Sequence, residues 1–378
     1  MDQVYLDSLA LHEKHQGKLE LKSKVPVNNK HDLSLAYTPG VGQVCVEIGK
    51  DKSLARKYTI KRNTIAVVTD GSAILGLGNL GAEAALPVME GKAVLFKEFA
   101  NVDAFPICLD TQDTEEIIKA VKLIAPVFGG INLEDISAPR CFEIEKRLKA
   151  ELDIPVMHDD QHGTATVVLA SLINALKLAD KNKETVRIVL SGAGAAGSAI
   201  TKMLLLYGFQ NIIVVDSQGI IHQSRENLTD EKLELAKITN TENQSGSLET
   251  ALINADIFIG VSKPNLVTSE MVKSMAEKPI IFALANPVPE IMPDIALEAG
   301  AFIVATGRSD FSNQINNVLA FPGIFRGALD NQVAQITDEM LIAAAESLAE
   351  FVVDLATDKI LPEVFEKGVA EVIAKTIK

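Results

Sequence analysis

The 378-residue chain has no tryptophan, four tyrosines and three cysteines. Cys45, Cys108 and Cys141 are odd in number and form no CxxC pair. A disulfide framework or a structural zinc site is therefore not expected, and a reducing cytoplasm is the expected location. Positive charge is in deficit: 36 Lys and Arg face 50 Asp and Glu, for a net charge of −14. No basic tract offsets it, which argues against a nucleic-acid partner. No uninterrupted apolar run approaches the ~20 residues that span a bilayer, so no membrane partner is expected. The opening MDQVYLDSLALHEKHQGKLE lacks the basic and apolar regions of a signal peptide.

The length suggests about two or three domains. Short apolar runs alternate with helical patterns. IAVVTD (65–70), FPICLD (105–110), PVMHD (155–159), VRIVLSG (186–192), NIIVVD (211–216), DIFIGVS (256–262), PIIFALA (279–285) and FIVATG (302–307) read as strands. Most are apolar on both faces, as parallel strands covered by helices on both sides must be. TEEIIKAVKLIA (114–125) and APRCFEIEKRLKAEL (138–152) read as helices, the first capped at Thr114. The alternation predicts an α/β protein with parallel sheets. From about Phe321 the pattern is all helical, and these helices are expected to return to the first domain.

GxGxxG occurs twice, at Gly76-Leu-Gly78-Asn-Leu-Gly81 and at Gly192-Ala-Gly194-Ala-Ala-Gly197. Only the second has strand, helix and strand in register, closing on Asp216, 19 residues after Gly197. Its glycines permit a tight turn, a close approach to a pyrophosphate, and helix-on-strand packing. The pyrophosphate would sit at the positive end of the helix. Asp216 would accept a ribose diol and repel a 2′-phosphate, which favours NAD over NADP. The first fingerprint reads as structural: its helical run carries Pro87 and is expected to end at Gly91.

Two acidic pairs, Glu134-Asp135 and Asp159-Asp160, end the runs FGGINLED and IPVMHDD, each immediately before a predicted helix. Convergence would make a hard-oxygen site for Mg²⁺ or Mn²⁺; the plain alternative is helix capping by Asp135 and Asp160. His158 and His162 have the i, i+4 spacing of zinc proteases without the glutamate, so zinc is not expected. Lys92 lies before an apolar segment, where desolvation would lower its pKa toward a base's range. Tyr37 precedes a rigid Thr-Pro-Gly turn. Core packing for Tyr37 and surface exposure for Lys92 are the alternatives.

AYTPGVG, TDGSAILGLGNLG, MEGKAVLFKEFANVDAFPICLDT, NLEDISAPRCFEIE, MHDDQHGTA, SGAGAAG, ALANPVPEI and GRSDFSNQINNVLAFPG occur in that order. In this the chain resembles malic enzymes of the short bacterial form, from about residue 10 to about residue 370. The resemblance implies a malic-type catalytic domain over 1–158, a Rossmann-like NAD-binding domain over 159–317, and C-terminal helices over 318–378 that pack back on the first. It implies oxidative decarboxylation of L-malate to pyruvate and CO₂ with NAD and Mg²⁺ or Mn²⁺. By the same resemblance Tyr37 is the general acid and Lys92 the base. Asp159 supports the proton network, and Glu134, Asp135 and Asp160 hold the metal. Gly192, Gly194, Ala195, Ala196, Gly197 and Asp216 bind the cofactor, Asn286 contacts cofactor and substrate, and Asn317 contacts substrate.

One departure stands out. Where animal members carry a carboxylate-gripping arginine two positions after TDG, this chain has Ser72-Ala73. Expected partners are small molecules (L-malate, oxaloacetate, pyruvate) and further copies of the chain in a homodimer or higher homo-oligomer. The rivals are an oxaloacetate decarboxylase without net redox, a malolactic-type enzyme, against which the short length argues, and a non-catalytic NAD-binding protein.

Overall fold

In the computed structural model, residues 3–75 and 77–378 are described. Gly76, the opening glycine of the first fingerprint, lies outside them. Four N-terminal helices, α1 (Gln3–His15), α2 (Lys30–Ala36), α3 (Val41–Lys50) and α4 (Leu54–Tyr58), lead into β1 (Thr64–Thr69). Then come α5 (Ala82–Ala100), β2 (Asp103–Cys108), α6 (Thr114–Ile124), β3 (Gly130–Leu133), α7 (Arg140–Glu151) and β4 (Val156–His158). The long α8 (Asp159–Ala179) follows without a loop. The second unit holds β5 (Arg187–Ser191), α9 (Ala195–Tyr207), β6 (Asn211–Asp216), β7 (Gly219–Ile220), α10 (Asp230–Ile238) and α11 (Leu248–Leu252). It continues with β8 (Ile257–Gly260), α12 (Ser269–Lys273), β9 (Ile280–Ala283), α13 (Pro293–Glu298) and β10 (Ile303–Thr306). Helices α14 (Phe321–Asp330), α15 (Asp338–Glu350) and α16 (Val369–Ala374) close the chain.

The strands build a four-stranded sheet, β2-β1-β3-β4, and a six-stranded one, β10-β9-β8-β5-β6-β7. All pairings are parallel except that of the two-residue β7. Every predicted strand forms. The two-faced apolar runs work as expected because successive side chains alternate between faces. Ile65 and Val67 join the largest core, while Ala66 and Val68 face α6 and α7 through Ile117, Ile118, Ile144 and Leu148. The largest core also contains Val167, Leu169, Leu172 and Leu176 of α8 together with Ile188 and Leu190 of β5. One apolar interior therefore runs along α8 and joins the two sheets. Among the described residues α8 alone has the length and apolarity of a membrane-crossing helix, and most of it is buried in this core.

The closing helices do return. Phe321 and Phe325 of α14 pack on Phe96 of α5, with ring centroids 4.6 and 5.5 Å apart. Gly323 and Gly327 let α14 close on α16: an added Cβ would stand 2.7 Å from the Ala370 carbonyl and 2.4 Å from that of Ala374. Asn174 of α8 donates to the carbonyls of Ala349 (2.8 Å) and Ile360 (2.9 Å).

Local expectations are corrected in places. α5 does not end at Gly91 but runs through Pro87 to Ala100, because its Ala85, Met89, Ala93 and Phe96 bury one continuous face. Tertiary packing overrides both breakers. The N-cap of α6 is Asp113, one residue before Thr114, and its carboxylate accepts from the Glu116 amide at 2.9 Å. The N-terminal helices are the opposite of the core: none of residues 3–63 is buried.

Candidate functional site

Parallel register brings the acidic pairs together. β3 and β4 pair with Leu133 opposite His158, so the residues that follow each leave the same carboxyl edge side by side. Ligand atoms of Glu134, Asp135 and Asp160 lie within 4.8 Å of one another. Asp160 Oδ2 accepts the Asp135 amide at 2.9 Å, and Asn132 Nδ2 orients Glu134 at 2.8 Å. Capping is excluded as their purpose: α7 starts after Pro139 and α8 after His158, and neither has a side-chain cap.

The cluster is short of positive charge. Asp135 Oδ2 and Asp159 Oδ1 are buried without a hydrogen-bond partner. Burial, then Asp160 and Glu134, push the Asp135 carboxyl up to about 8. Burial pushes Asp159 to about 8 as well, with Glu134 adding to it against the pull of Lys92. Orphaned oxygens among crowded carboxylates fit a hard divalent cation in chemistry and spacing. Neither histidine is in that group: His158 is fully buried, and His162 Nε2 pairs with Glu145 at 2.9 Å.

Lys92 is not a surface charge. It is 8% exposed, 2.7 Å from Asp159 Oδ2 and 2.9 Å from Glu134 Oε1, and it stands over the Phe321 ring at 4.3 Å. The expected fall of its pKa is corrected. Burial does lower it, but Asp159, Glu134 and Asp160 outweigh burial and hold the ammonium well above its usual range. Asp159, expected at the convergence of the two acidic pairs, is in direct contact with Lys92, and Gly163 makes room for it. A Cβ there would meet Asp159 Oδ1 at 1.8 Å and Asn317 Cβ at 3.3 Å. Glycine one turn along α8 gives Asp159 its rotamer and puts Asn317 alongside.

Tyr37 is not brought to this group within the chain. It is 67% exposed, so it is not a core residue either. Asn286 is exposed at the end of β9 and rests on Gly307, where a Cβ would meet its Nδ2 at 2.8 Å. In place of the missing arginine after TDG, Arg140 of α7 reaches that loop, donating to Asp70 at 2.6 Å and Ser72 at 3.0 Å.

The second fingerprint has the form of a dinucleotide cradle. Gly192 has φ +116°, Gly194 caps α9 with open space around it, and Ala195 and Ala196 begin the helix. A Cβ on Gly197 would stand 1.8 Å from the Gly192 carbonyl, so only glycine allows this packing. Gly192, Gly194 and Asp216 line a cleft of about 1070 Å³ whose wall includes Ala138, Pro139, Ser262 and Lys263. NAD fits a cradle of this form. Asp216, however, is not a bare carboxylate. Arg225 and Lys232 hold it, with the Gln218 amide, down at about 2 although its burial pulls upward. The repulsion expected of it is offset on the spot.

Sequence reasoning missed several of these groups. Glu290, fully buried, accepts from the amides of Ser262 (2.9 Å) and Ala285 (3.0 Å) and ties together the ends of β8 and β9. Its place in NPVPE was a usable signal. Gly163, Arg140, Arg225 and Lys232 had none, since their partners are set by folding.

Two family models match the chain: malic enzyme, N-terminal domain, over residues 16–149, and malic enzyme, NAD binding domain, over 161–377. The chain belongs to the malic enzyme family. It is 58% identical over 374 residues to the bifunctional malic/malolactic enzyme of Bacillus subtilis, covering 98% of this chain and 91% of that one. It is 59% identical to the NAD-dependent malic enzyme of Geobacillus stearothermophilus, covering 96% and 76%. The crystal structure of the NAD-dependent malic enzyme of Thermotoga maritima superposes with a TM-score of 0.96 at 52% identity, covering 98% of each chain. The length argument against malolactic chemistry is corrected: a relative of comparable length bears that name.

Proposed function

We propose that this malic enzyme oxidatively decarboxylates L-malate to pyruvate and CO₂ with reduction of NAD. The observation that carries the reading is Lys92, buried between Asp159 and Glu134 at the edge of a cation-deficient carboxylate cluster. When bound at Glu134, Asp135 and Asp160, Mg²⁺ or Mn²⁺ supplies Lewis acidity toward the C2 oxygen, and NAD supplies the hydride acceptor. With Glu134, Asp135 and Asp160 engaged by a divalent cation, the carboxylate pull that keeps Lys92 charged would be offset; neutral Lys92 then takes the C2 hydroxyl proton, and Asp159 holds and orients the ammonium that results. Tyr37 returns a proton to C3 once CO₂ has left. Asn286 and Asn317 fix the substrate. The relatives' names support both the substrate and the cofactor.

Absorbance at 340 nm with L-malate, Mn²⁺ and NAD, with pyruvate assayed afterwards, tests this. NADH and pyruvate appearing one for one, and stopped by EDTA, is the expected result. Pyruvate and CO₂ from oxaloacetate, with no NADH from malate, would move the assignment to a decarboxylase; lactate formed with NAD retained would move it to malolactic chemistry.

The same reading assigns residues 1–158 to a catalytic domain, 159–317 to NAD binding and 318–378 to the returning helices. It also makes the protein a homodimer. Leu6, Leu9, Leu33, Leu35, Val46 and Tyr37 are exposed on an N-terminal arm that has no interior of its own. A second copy covers that arm, and Tyr37 is delivered from the arm of one copy to the site of the other. Sedimentation giving only ~40 kDa particles at micromolar concentration would refute the dimer. Mixed Tyr37→Phe and Lys92→Ala chains, each inactive alone, should recover activity through hybrid dimers.

A further inference from the structure

We propose that Arg225 and Lys232 form a phosphate site at the adenosine-ribose end of the cofactor cleft. Asp216 masks it, and it accepts a ribose 2′-phosphate once that mask is removed. The proposal rests on the dinucleotide reading of the glycine loop and extends it to what discriminates between the two nicotinamide cofactors.

Asp216 ends β6, where a ribose diol would seek two free carboxylate oxygens. Both are already occupied. Oδ1 accepts the Gln218 amide at 2.9 Å; Oδ2 accepts Arg225 Nη2 at 2.7 Å and Lys232 Nζ at 2.6 Å. Two cations, Arg225 and Lys232, face the one Asp216 carboxylate, and Lys263 is a further base on the cleft wall. Glu231 is the other acid on the described wall of the cleft.

The arginine does not depend on Asp216 for its position. Its Nη1 also donates to the Gly219 carbonyl at 3.3 Å and its Nη2 to Gln218 Oε1 at 3.1 Å, and its side chain is 12% exposed. Lys232 stands in the first turn of α10, which is capped by Thr229, and lines the cleft; Arg225 is bonded to three residues of the cleft wall, Asp216, Gln218 and Gly219. Neutralising Asp216 would leave a fixed guanidinium and a cleft-facing ammonium with a common point of convergence. That is the donor set that recognises a phosphate.

Calorimetric titration of the full-length protein with 5′-AMP and 2′,5′-ADP separates the possibilities. The proteins are wild type, Asp216→Asn, Asp216→Ser, and Asp216→Asn combined with Arg225→Ala and Lys232→Ala. We expect Asp216→Asn to bind 2′,5′-ADP at least ~10-fold tighter than wild type does, since one charge-assisted contact is worth about that much. The gain should recur in Asp216→Ser and vanish in the triple variant, and NADP turnover relative to NAD should rise in parallel. No gain in either single variant, or a gain that survives in the triple variant, would overturn the masked site. Failure of wild type to bind 5′-AMP would instead overturn the dinucleotide reading, and this proposal with it.

Discussion

Asp159 and Asp216 both stand where a parallel strand ends, yet their charge balance is opposite. Asp159 is fully buried and shares a single cation, Lys92, with Glu134 while Asp135 and Asp160 crowd nearby; its carboxyl is pushed up to about 8. Asp216 has two cations to itself and is held down at about 2. The carboxyl edge of a parallel sheet gathers ligand groups in either case. What each end accepts depends on the local count of charges. The first is deficient in positive charge and suited to a metal ion, whereas the second is over-supplied and suited to polyhydroxyl or anionic groups.

Adding a cation should therefore stabilise one end and not the other. Mn²⁺ is expected to raise the melting temperature by several degrees in wild type, by linkage to binding. Glu134→Gln with Asp160→Asn should abolish both this rise and turnover. A rise that survived the double change would place the ion elsewhere. Gly163→Ala comes next. Its methyl group must displace Asp159 Oδ1 from 1.8 Å. Turnover should fall by ~10²-fold through misplacement of the Lys92 partner, with overpacking costing roughly 1–3 kcal/mol of stability. Unchanged kinetics would show that the Asp159–Lys92 contact is dispensable. Phe321→Ala removes the ring beneath Lys92 and the tie to Phe96. Denaturant titration should show a loss of about 3–5 kcal/mol.

The smallest effect concerns Glu145. Burial alone would raise its pKa, but His162 and Lys149, each 2.9 Å away, outweigh burial and hold it far below the usual carboxylate range. A depressed folded-state pKa contributes stability above the unfolded value, lost as pH falls through the folded one. The urea-midpoint advantage of wild type over Glu145→Gln should be full near pH 7 and shrink once pH drops below ~4.5. An advantage constant to pH 3 would contradict this.

Legibility in the sequence followed the range of the interactions. The strands showed because burial on both faces leaves continuous Val and Ile runs such as Ile212–Val215. The glycine loop showed because its steric demands are local. β3 did not stand out as a strand, being four residues that open with glycine, and α5 was cut short because its buried face is created by partners elsewhere in the chain. The acidic pairs were visible, but only the Leu133–His158 register decided between capping and convergence. The direction of the Lys92 shift is hidden from sequence for the same reason: its apolar neighbours are adjacent in the chain, while Glu134 and Asp159 arrive from 42 and 67 positions away.

Lys92, held by the acid cluster, is the proposed base. NADH formation from L-malate by Lys92→Ala, measured beside NAD binding by fluorescence quenching, tests this most directly. Turnover should fall by about 10²–10⁴-fold, the usual contribution of a positioned base, while NAD binding is unchanged. Turnover near the wild-type rate with NAD still bound would contradict the assignment.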